Sequence, residues 1–262
     1  MPKPSPTNTL MSVYEQLKQL IAENRLCALA TVVMSSDGTG AHLLVASDGI
    51  VQGDIAEPLR GEVIVLAQAL MRAEDSQTVD LGGAQVFIEV FAPPPTLVIF
   101  GGVHTAAPLS LFAKALGFRV VVVDGRAKFA DPARFPHADQ VIHAWPQEAI
   151  PQLRFDSSTY VTVLTHDPKF DLPAIKLLVT TGARYIGAMG SRQTRKDHFD
   201  QLRADGVPDD LLRRVYGPIG LDIGAVTPEE MALAIMAEIV AVRYNREGIS
   251  LARKEGGSQM AS

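Results

Sequence analysis

The hydrophobic and polar positions of the chain follow two patterns, and the change from one to the other falls near residue 93. In the first part, apolar segments bounded by glycine, serine and aspartate predict strands, and two stretches of helical periodicity predict helices. Ser12 and Glu15 form the capping box that begins the first helix. The second helix is predicted over residues 57–72, and strands are predicted over residues 27–34, 42–46, 50–52 and 84–91. This mixture predicts a small α+β domain over residues 1–92.

The second part of the chain begins after Pro93, Pro94 and Pro95, which form a stiff extended connector because proline continues neither a ladder of strands nor a helix. Strands are predicted over residues 96–100, 118–123, 140–143, 160–165 and 184–187, and helices over residues 104–116, 172–180, 193–204, 209–215 and 227–244. Short buried strands that alternate with helices predict a doubly wound parallel sheet, a Rossmann-like α/β fold, over residues 96–246. The polar segments 1–10 and 247–262 are predicted to be flexible.

Composition narrows the class of protein. The 262 residues carry a net charge of −5, and no basic stripe offsets the acidic excess, so we expect neither a nucleic-acid nor a membrane partner. The single cysteine, Cys27, excludes a disulfide framework and fits a reducing compartment. Apolar runs all stay below 18 residues, and we expect a cytoplasmic protein. The scattered histidines have no ligand spacing, and no metal site is predicted.

The most informative motif is a strand, a glycine turn and a second strand that ends in an acid. Gly101 and Gly102 follow the first strand, and Asp124 ends the second, 23 residues after Gly101. This arrangement is typical of a dinucleotide-binding βαβ unit, in which amides at a helix start face a pyrophosphate and the acid faces a ribose. Val103 stands where the fingerprint has its second glycine, and its branched side chain should intrude on a pyrophosphate. The motif therefore supports the fold more strongly than the ligand.

Ligands of doubly wound sheets bind at the carboxyl ends of the strands, so the loops there hold the other candidates. Arg126 either holds a 2′-phosphate or pairs with Asp124. His104 either contacts a ligand or belongs to the helix start. His166 and Asp167 are the candidate general acid and base, because histidine titrates near neutrality and an adjacent carboxylate could orient it. Asp167 is equally a candidate cap for the next helix.

Two further loops complete the set. Gly190, Ser191 and Arg192 offer amides, a hydroxyl and a guanidinium to an anion at a helix start, and the alternative is an ordinary serine cap. Asp222 lies in the glycine-rich loop 217–225. The five loops at the strand ends are residues 101–104, 124–126, 166–168, 187–192 and 217–224. In four of them a charged or titratable residue lies beside a glycine or a proline, which indicates a site.

These loops, taken together, resemble those of the XdhC/CoxI family of accessory proteins for xanthine dehydrogenase and related molybdenum hydroxylases. The matching segments are residues 87–94, 100–104, 121–126, 135–139, 164–169, 185–192, 217–225 and 227–230. The ordered motifs cover the second domain well and the first only loosely. The resemblance therefore applies mainly to the Rossmann-like domain.

The resemblance implies a homodimeric maturation factor that binds the molybdenum cofactor, shields it while a partner cysteine desulfurase installs its terminal sulfur, and delivers it to the molybdenum hydroxylase apo-enzyme. Such a protein is a chaperone rather than a catalyst. The residues expected to bind the cofactor are Gly101, Gly102, His104, Asp124, Arg126, Gly190, Ser191, Arg192 and Asp222. The alternatives are an NAD(P)-dependent oxidoreductase that uses His166 and Asp167, and a nucleotide-binding sensor that turns nothing over.

The chain departs from the family pattern at its thiols and at its glycine turn. Typical relatives carry a Gly-Gly-Cys segment where this chain has residues 53–60, and a second cysteine where it has Leu81. Cys27 lies within a predicted strand and replaces neither. The family's Gly-x-Gly-His is Gly-Gly-Val-His here, at residues 101–104. Any role of those thiols in holding cofactor or sulfur must therefore be filled differently in this chain.

Overall fold

A computed structural model describes residues 12–254, with side chains through residue 252. The segment 1–10 and the last eight residues of the segment 247–262, both predicted to be flexible, lie outside the described residues. The chain forms two compact units that divide between Pro93 and Pro94. Each unit is described by itself.

The first unit is an antiparallel sheet with two helices. Its strands are β1 (Cys27–Met34), β2 (His42–Ala46), β3 (Val51–Gly53), β4 (Gln77–Leu81) and β5 (Ala84–Phe91), and its helices are α1 (Val13–Ala22) and α2 (Leu59–Ala73). The strand order is β3-β2-β1-β5-β4. Alternate residues of β1 enter two cores, since Ala28 and Ala30 pack in the core with α2 while Cys27 and Leu29 pack in the core with α1. The unit is therefore a three-layer structure, and it has the α+β class that the hydrophobic pattern predicted.

Strand β4 was not among the predicted strands. It pairs antiparallel with β5 across the turn at Gly82 and Gly83. As an edge strand it buries none of its residues fully, so its sequence lacks the apolar alternation on which the prediction depended.

The second unit is a parallel sheet covered by helices on both faces. Its strands are β6 (Thr96–Phe100), β7 (Arg119–Asp124), β8 (Gln140–His143), β9 (Thr159–Val163), β10 (Tyr185–Ala188) and β11 (Val215–Tyr216). Its helices are α3 (Ala106–Ala115), α4 (Pro146–Ala149), α5 (Pro168–Leu178), α6 (Arg192–Ala204), α7 (Asp209–Leu212), α8 (Pro228–Arg243) and α9 (Leu251–Lys254). The strand order is β11-β10-β9-β6-β7-β8, with every pair parallel. The predicted doubly wound α/β fold is confirmed.

The two faces of this sheet bury separate cores. On β6, Val98 and Phe100 pack in the core with α5 and α6, whereas Leu97 and Ile99 pack in the core with α3 and α8. The order of strands reverses between β6 and β9, which are neighbours in space but far apart in sequence. In folds of this type, that reversal opens a crevice at the carboxyl ends of the strands.

The last strand of the sheet differs from the prediction. A helix was expected over residues 209–215, but α7 ends at Leu212 and Val215 begins β11, which pairs with β10. Two residues of edge strand are too short to produce a periodic pattern. Strand β11 nevertheless matters, because it places the loop 217–225 at the same edge of the sheet as the other candidate loops.

Candidate functional site

The glycine turn after β6 is closed by its own chain. The amide of Gly101 donates to the carbonyl of Val123 at 2.8 Å, and the φ of Gly101, +106°, is one that other residues rarely adopt. A Cβ at Gly102 would lie 2.1 Å from the carbonyl oxygen of Phe129. Gly102 therefore allows the backbone of the loop after β7 to pack directly against the turn.

Asp124 is fully buried at the end of β7, and its carboxylate is saturated. Oδ1 accepts from the amide and from Nε of Arg126, both at 2.9 Å, and Oδ2 accepts from the Gly102 amide at 2.9 Å and from Nη2 of Arg126 at 2.8 Å. Burial alone would raise the pKa of Asp124, but the hydrogen bonds from Arg126 and Gly102 hold that pKa below its usual value. A carboxylate offers about four acceptor positions, so none is left for a ribose hydroxyl.

Arg126 pairs with Asp124, which is one of the two roles that the sequence left open. Its guanidinium is held in a two-pronged ion pair and stacks on the ring of Phe129, with 4.0 Å from Cζ to the ring centre. The hydrogen bond with Asp124 raises the pKa of Arg126 further, and the nearby carboxylates Asp167 and Asp171 act in the same direction. Arg126 is thus the cationic centre of an acidic cluster at the switch point.

Asp171 is the member of this cluster that the sequence analysis missed. It lies in the first turn of α5, 2% exposed, and accepts a hydrogen bond from the Thr165 hydroxyl. Burial raises the pKa of Asp171 to about 7, and the neighbouring Asp167 adds to the rise, while Thr165 and Arg126 oppose it. The signal in the sequence was an acid between Phe170 and Leu172, on the helix face that faces the core.

The predicted acid and base, His166 and Asp167, follow β9 and differ in what their side chains contact. The carboxylate of Asp167 accepts from the amide of Lys169 at 3.0 Å and caps α5, so the helix-cap role is present. The side chain of His166 is exposed. Their chemistry as a pair stays a prediction.

The residues around His104 behave as a helix start. His104 is exposed, and Thr105 rather than His104 occupies the N-cap position of α3. Val103 is half-buried and packs against the core between α3 and the sheet. Its side chain therefore serves packing at the position where the fingerprint has glycine.

A second group of candidates meets at the ends of β10 and β11. Ser191 caps α6, since its hydroxyl accepts from the amide of Thr194 at 3.0 Å. The next residue, Arg192, lines a cavity of about 400 Å³ together with the loop 217–225, including Asp222. The structure thus brings Arg192 and Asp222 to one cavity, and Gly101, Gly102, Asp124 and Arg126 to the separate crevice at β6.

Hydrogen bonds to α8 anchor the loop 217–225. The Gly220 amide donates to Glu238 of α8 at 3.0 Å, and the same carboxylate oxygen accepts from the hydroxyl of Tyr185. The amide of Leu221 donates to the carbonyl of Ala234 at 3.1 Å. Burial, followed by the charge of Glu238, raises the pKa of Tyr185 well above its usual value, so this hydroxyl stays a donor. The anchored loop gives the cavity a defined wall.

Thiol chemistry has no accessible group within the described residues. Cys27 is buried in β1, and burial raises the pKa of its thiol to about 11. Between residues 12 and 254, no three or more histidine, cysteine, aspartate or glutamate side chains come together as metal ligands would. None of the helices in that range combines the length and the hydrophobicity that a membrane span requires.

The fold and the crevice define a Rossmann-type domain at the carboxyl side of the chain. The model of the XdhC Rossmann domain matches residues 97–239, which is 143 of the 262 residues, and the chain belongs to this family. The resemblance to the XdhC/CoxI family is therefore confirmed.

Three curated proteins are similar in sequence. "Uncharacterized protein YqeB" of Escherichia coli K12 is 29% identical over 258 residues, covering 91% of this chain and 47% of that protein. A probable xanthine dehydrogenase component of Bacillus subtilis 168 is 34% identical over 158 residues, covering 60% and 46%. "Molybdenum cofactor insertion chaperone PaoD" of E. coli K12 is 25% identical over 157 residues, covering 60% and 43%. The chain spans less than half the length of each of them.

A solved structure agrees on the fold. The crystal structure of a xanthine dehydrogenase from Bacillus halodurans superposes with a TM-score of 0.53 at 21% identity, covering 92% of this chain and 98% of that one. At this identity the likeness concerns the fold alone.

Proposed function

We propose that this chain is an accessory protein for a molybdenum hydroxylase of the xanthine dehydrogenase type, which binds the molybdenum cofactor as cargo and supports its sulfuration and insertion. The supporting observation is the family match over residues 97–239, together with a relative whose name describes a molybdenum cofactor insertion chaperone. The cofactor is bound at the carboxyl ends of the parallel strands, where the candidate loops lie. The partners are the hydroxylase apo-enzyme and a second copy of the chain.

The sulfur comes from another protein in this proposal. Cys27 is buried, and its raised pKa leaves almost no thiolate near neutral pH, whereas thiolate is the form that carries and transfers sulfur. The chain has no other cysteine. A partner cysteine desulfurase therefore supplies the persulfide, and this chain contributes binding and shielding in the cytoplasm.

We do not extend the proposal to a nicotinamide dinucleotide, because the glycine turn does not fit one in the usual pose. Val103 stands where the fingerprint glycine lets the backbone approach a pyrophosphate, and its branched side chain packs against the core beside α3. All four acceptor positions of Asp124 are taken by Arg126 and Gly102. An oxidoreductase built on His166 and Asp167 would need this turn to open.

The test is maturation of a co-expressed molybdenum hydroxylase in a strain with and without this chain. We expect hydroxylase purified without the chain to have low activity and little terminal sulfur on its molybdenum. Complementation with the Cys27→Ala variant should restore both, since the thiol takes no part. Full activity and sulfur content in the absence of the chain would contradict the proposal.

A further inference from the structure

Strand β4 leaves one of its two sides unpaired. It lies at the end of the first sheet and pairs with β5 alone. With five residues it is the longest edge strand in the described part of the chain, since β3, β8 and β11 have three, four and two. A free edge strand presents a row of amides and carbonyls with which another strand can pair.

The sequence of β4 lacks the usual protection of an edge. Proteins prevent pairing between edges with a lysine or a proline in the strand, with a bulge, or by covering the strand. Residues 77–81 contain neither lysine nor proline, their only charge is that of Asp80, and their register with β5 is unbroken. Gln77, Thr78 and Asp80 are exposed. The edge is therefore open to a second strand.

The hairpin turn determines which backbone groups of β4 point outward. Both glycines of the turn 82–83 have positive φ, +57° and +90°, as a two-residue type I′ turn requires. The residues that flank such a turn exchange hydrogen bonds, and here they are Leu81 and Ala84. Hydrogen-bonded residues alternate along an antiparallel strand, so the amides and carbonyls of Thr78 and Asp80 point away from β5.

These outward groups complement those of a second copy of β4 in one antiparallel register. When the twofold axis lies at Val79, Thr78 of one copy is opposite Asp80 of the other, and their outward amides and carbonyls face each other. The Thr78 hydroxyl then lies beside the Asp80 carboxylate, which accepts hydrogen bonds. An axis at Asp80 would instead place two carboxylates opposite each other, which is destabilising. The register centred on Val79 is therefore favoured.

The ends of the paired strands are free of obstruction in this register. The turn 82–83 of one copy lies beside residues 75–76 of the other. Its glycines have no side chains, and beyond their chain neighbours no described atom lies within 4 Å of a Cβ built at either position. Val79 and Leu81 are half-buried against the core with α2, and pairing would remove more of their apolar surface from water.

We propose that two copies of this chain associate through β4, with the two strands antiparallel and Val79 at the twofold axis. The two five-stranded sheets then form one continuous sheet. A second copy is a partner in the proposed function, and this inference rests on the proposed function for that partner alone. The surface and the register come from β4.

Single introduced cysteines read the register, because Cys27 is the only native cysteine, is buried, and has a thiol pKa raised to about 11. The full chain with Val79→Cys, Thr78→Cys or Asp80→Cys is oxidised with copper phenanthroline and analysed on a non-reducing gel. Val79→Cys should give a disulfide-linked dimer, since residue 79 faces residue 79 of the other copy. Thr78→Cys and Asp80→Cys should not, since each would lie about 7–8 Å from its counterpart.

Charge variants test the same register without a covalent link. Sedimentation velocity over a dilution series gives the dissociation constant of the full-length dimer. Thr78→Lys should lower this constant by about tenfold, because the lysine lies opposite Asp80, and Thr78→Asp should raise it by about tenfold, because two carboxylates then lie opposite each other. Residue 78 is exposed, so both variants should keep the parent Tm. Ser47→Lys and Ser47→Asp, at an exposed residue between β2 and β3, are the matched controls and should leave the constant unchanged.

Three results would overturn the inference. They are a full chain that stays monomeric at about 100 µM, a disulfide at residue 78 or 80 instead of 79, and charge variants that shift the constant in the same direction. Maturation of a co-expressed hydroxylase is measured separately. A hydroxylase that requires the chain, combined with no disulfide at residue 79, overturns the pairing alone. A disulfide at residue 79, combined with a hydroxylase that matures without the chain, overturns the proposed maturation role alone.

Discussion

Substitution of Asp171 by asparagine tests how the acidic cluster at the switch point is balanced. Asparagine keeps the shape of the side chain and can still accept the hydrogen bond from Thr165, but it cannot ionise. Burial raises the pKa of Asp171 from an ordinary 3.8 to about 7, so the folded protein holds a proton there that the unfolded chain has released. The Asp171→Asn substitution removes this difference in protonation between the folded and the unfolded states.

The sign and size follow from proton linkage. Between pH 4 and pH 7 the folded state binds more protons than the unfolded state, so Asp171 makes the free energy of unfolding fall as pH rises through this window. Above about pH 7, Asp171 is ionised in both states, and the free energy of unfolding that it costs no longer changes with pH. The interval between 3.8 and about 7, at 1.36 kcal/mol per pH unit, sets that cost at no more than about 4 kcal/mol.

The assay is thermal unfolding of the full chain and of the Asp171→Asn variant at pH 4.5, 6 and 8. We expect the variant to be only slightly more stable at pH 4.5, where the cost of Asp171 is about 1 kcal/mol, and several degrees more stable again at pH 8, at about 2–4 °C per kcal/mol. Asp37→Asn, at an exposed position, should show no such pH-dependent gain. A variant that is less stable than the parent at pH 8 would refute the reasoning, since ionised Asp171 would then be stabilised by Arg126 more than burial costs it.

Three further predictions concern the glycine turn and the thiol. Gly102→Ala should lower the free energy of unfolding by about 1–3 kcal/mol, because its Cβ would meet the Phe129 carbonyl, whereas Gly61→Ala in α2 should not destabilise; equal Tm values for the two variants would contradict this. Calorimetric titration with NADH and with NADPH should give no binding heat, and micromolar affinity for either would show that the loop after β7 opens. Native Cys27 should resist alkylation by iodoacetamide at pH 8 and react fully after denaturation; fast labelling of the native protein would show an accessible thiolate.

The fold followed from the sequence wherever burial was complete. Strand β7 is buried along almost its whole length and shows as a continuous apolar run, which periodicity detects. The prediction missed strands β4 and β11, which lie at the edges of their sheets. Each pairs with one neighbouring strand only, so its sequence need not show the hydrophobic pattern of a buried strand.

The sequence predicted only part of the candidate site, because the contacts that define the site join residues distant in sequence. The pattern located Gly102 and Asp124 at strand ends, but the carbonyl that closes the turn belongs to Phe129, in a loop without periodicity. That Arg192 and Asp222 share a cavity depends on β11, which aligns their loops at one edge of the sheet. Both residues were candidates from the sequence, whereas their common cavity required the structure.

The most direct test of the central claim is the identity of the small molecule that the protein retains. The full chain would be purified without exposure to air from cells that make the molybdenum cofactor, then denatured, and the released compounds identified by mass spectrometry. The account predicts that the released compounds include a phosphorylated pterin of the molybdenum cofactor. Retention of a nicotinamide dinucleotide, or of no pterin at all, would contradict it.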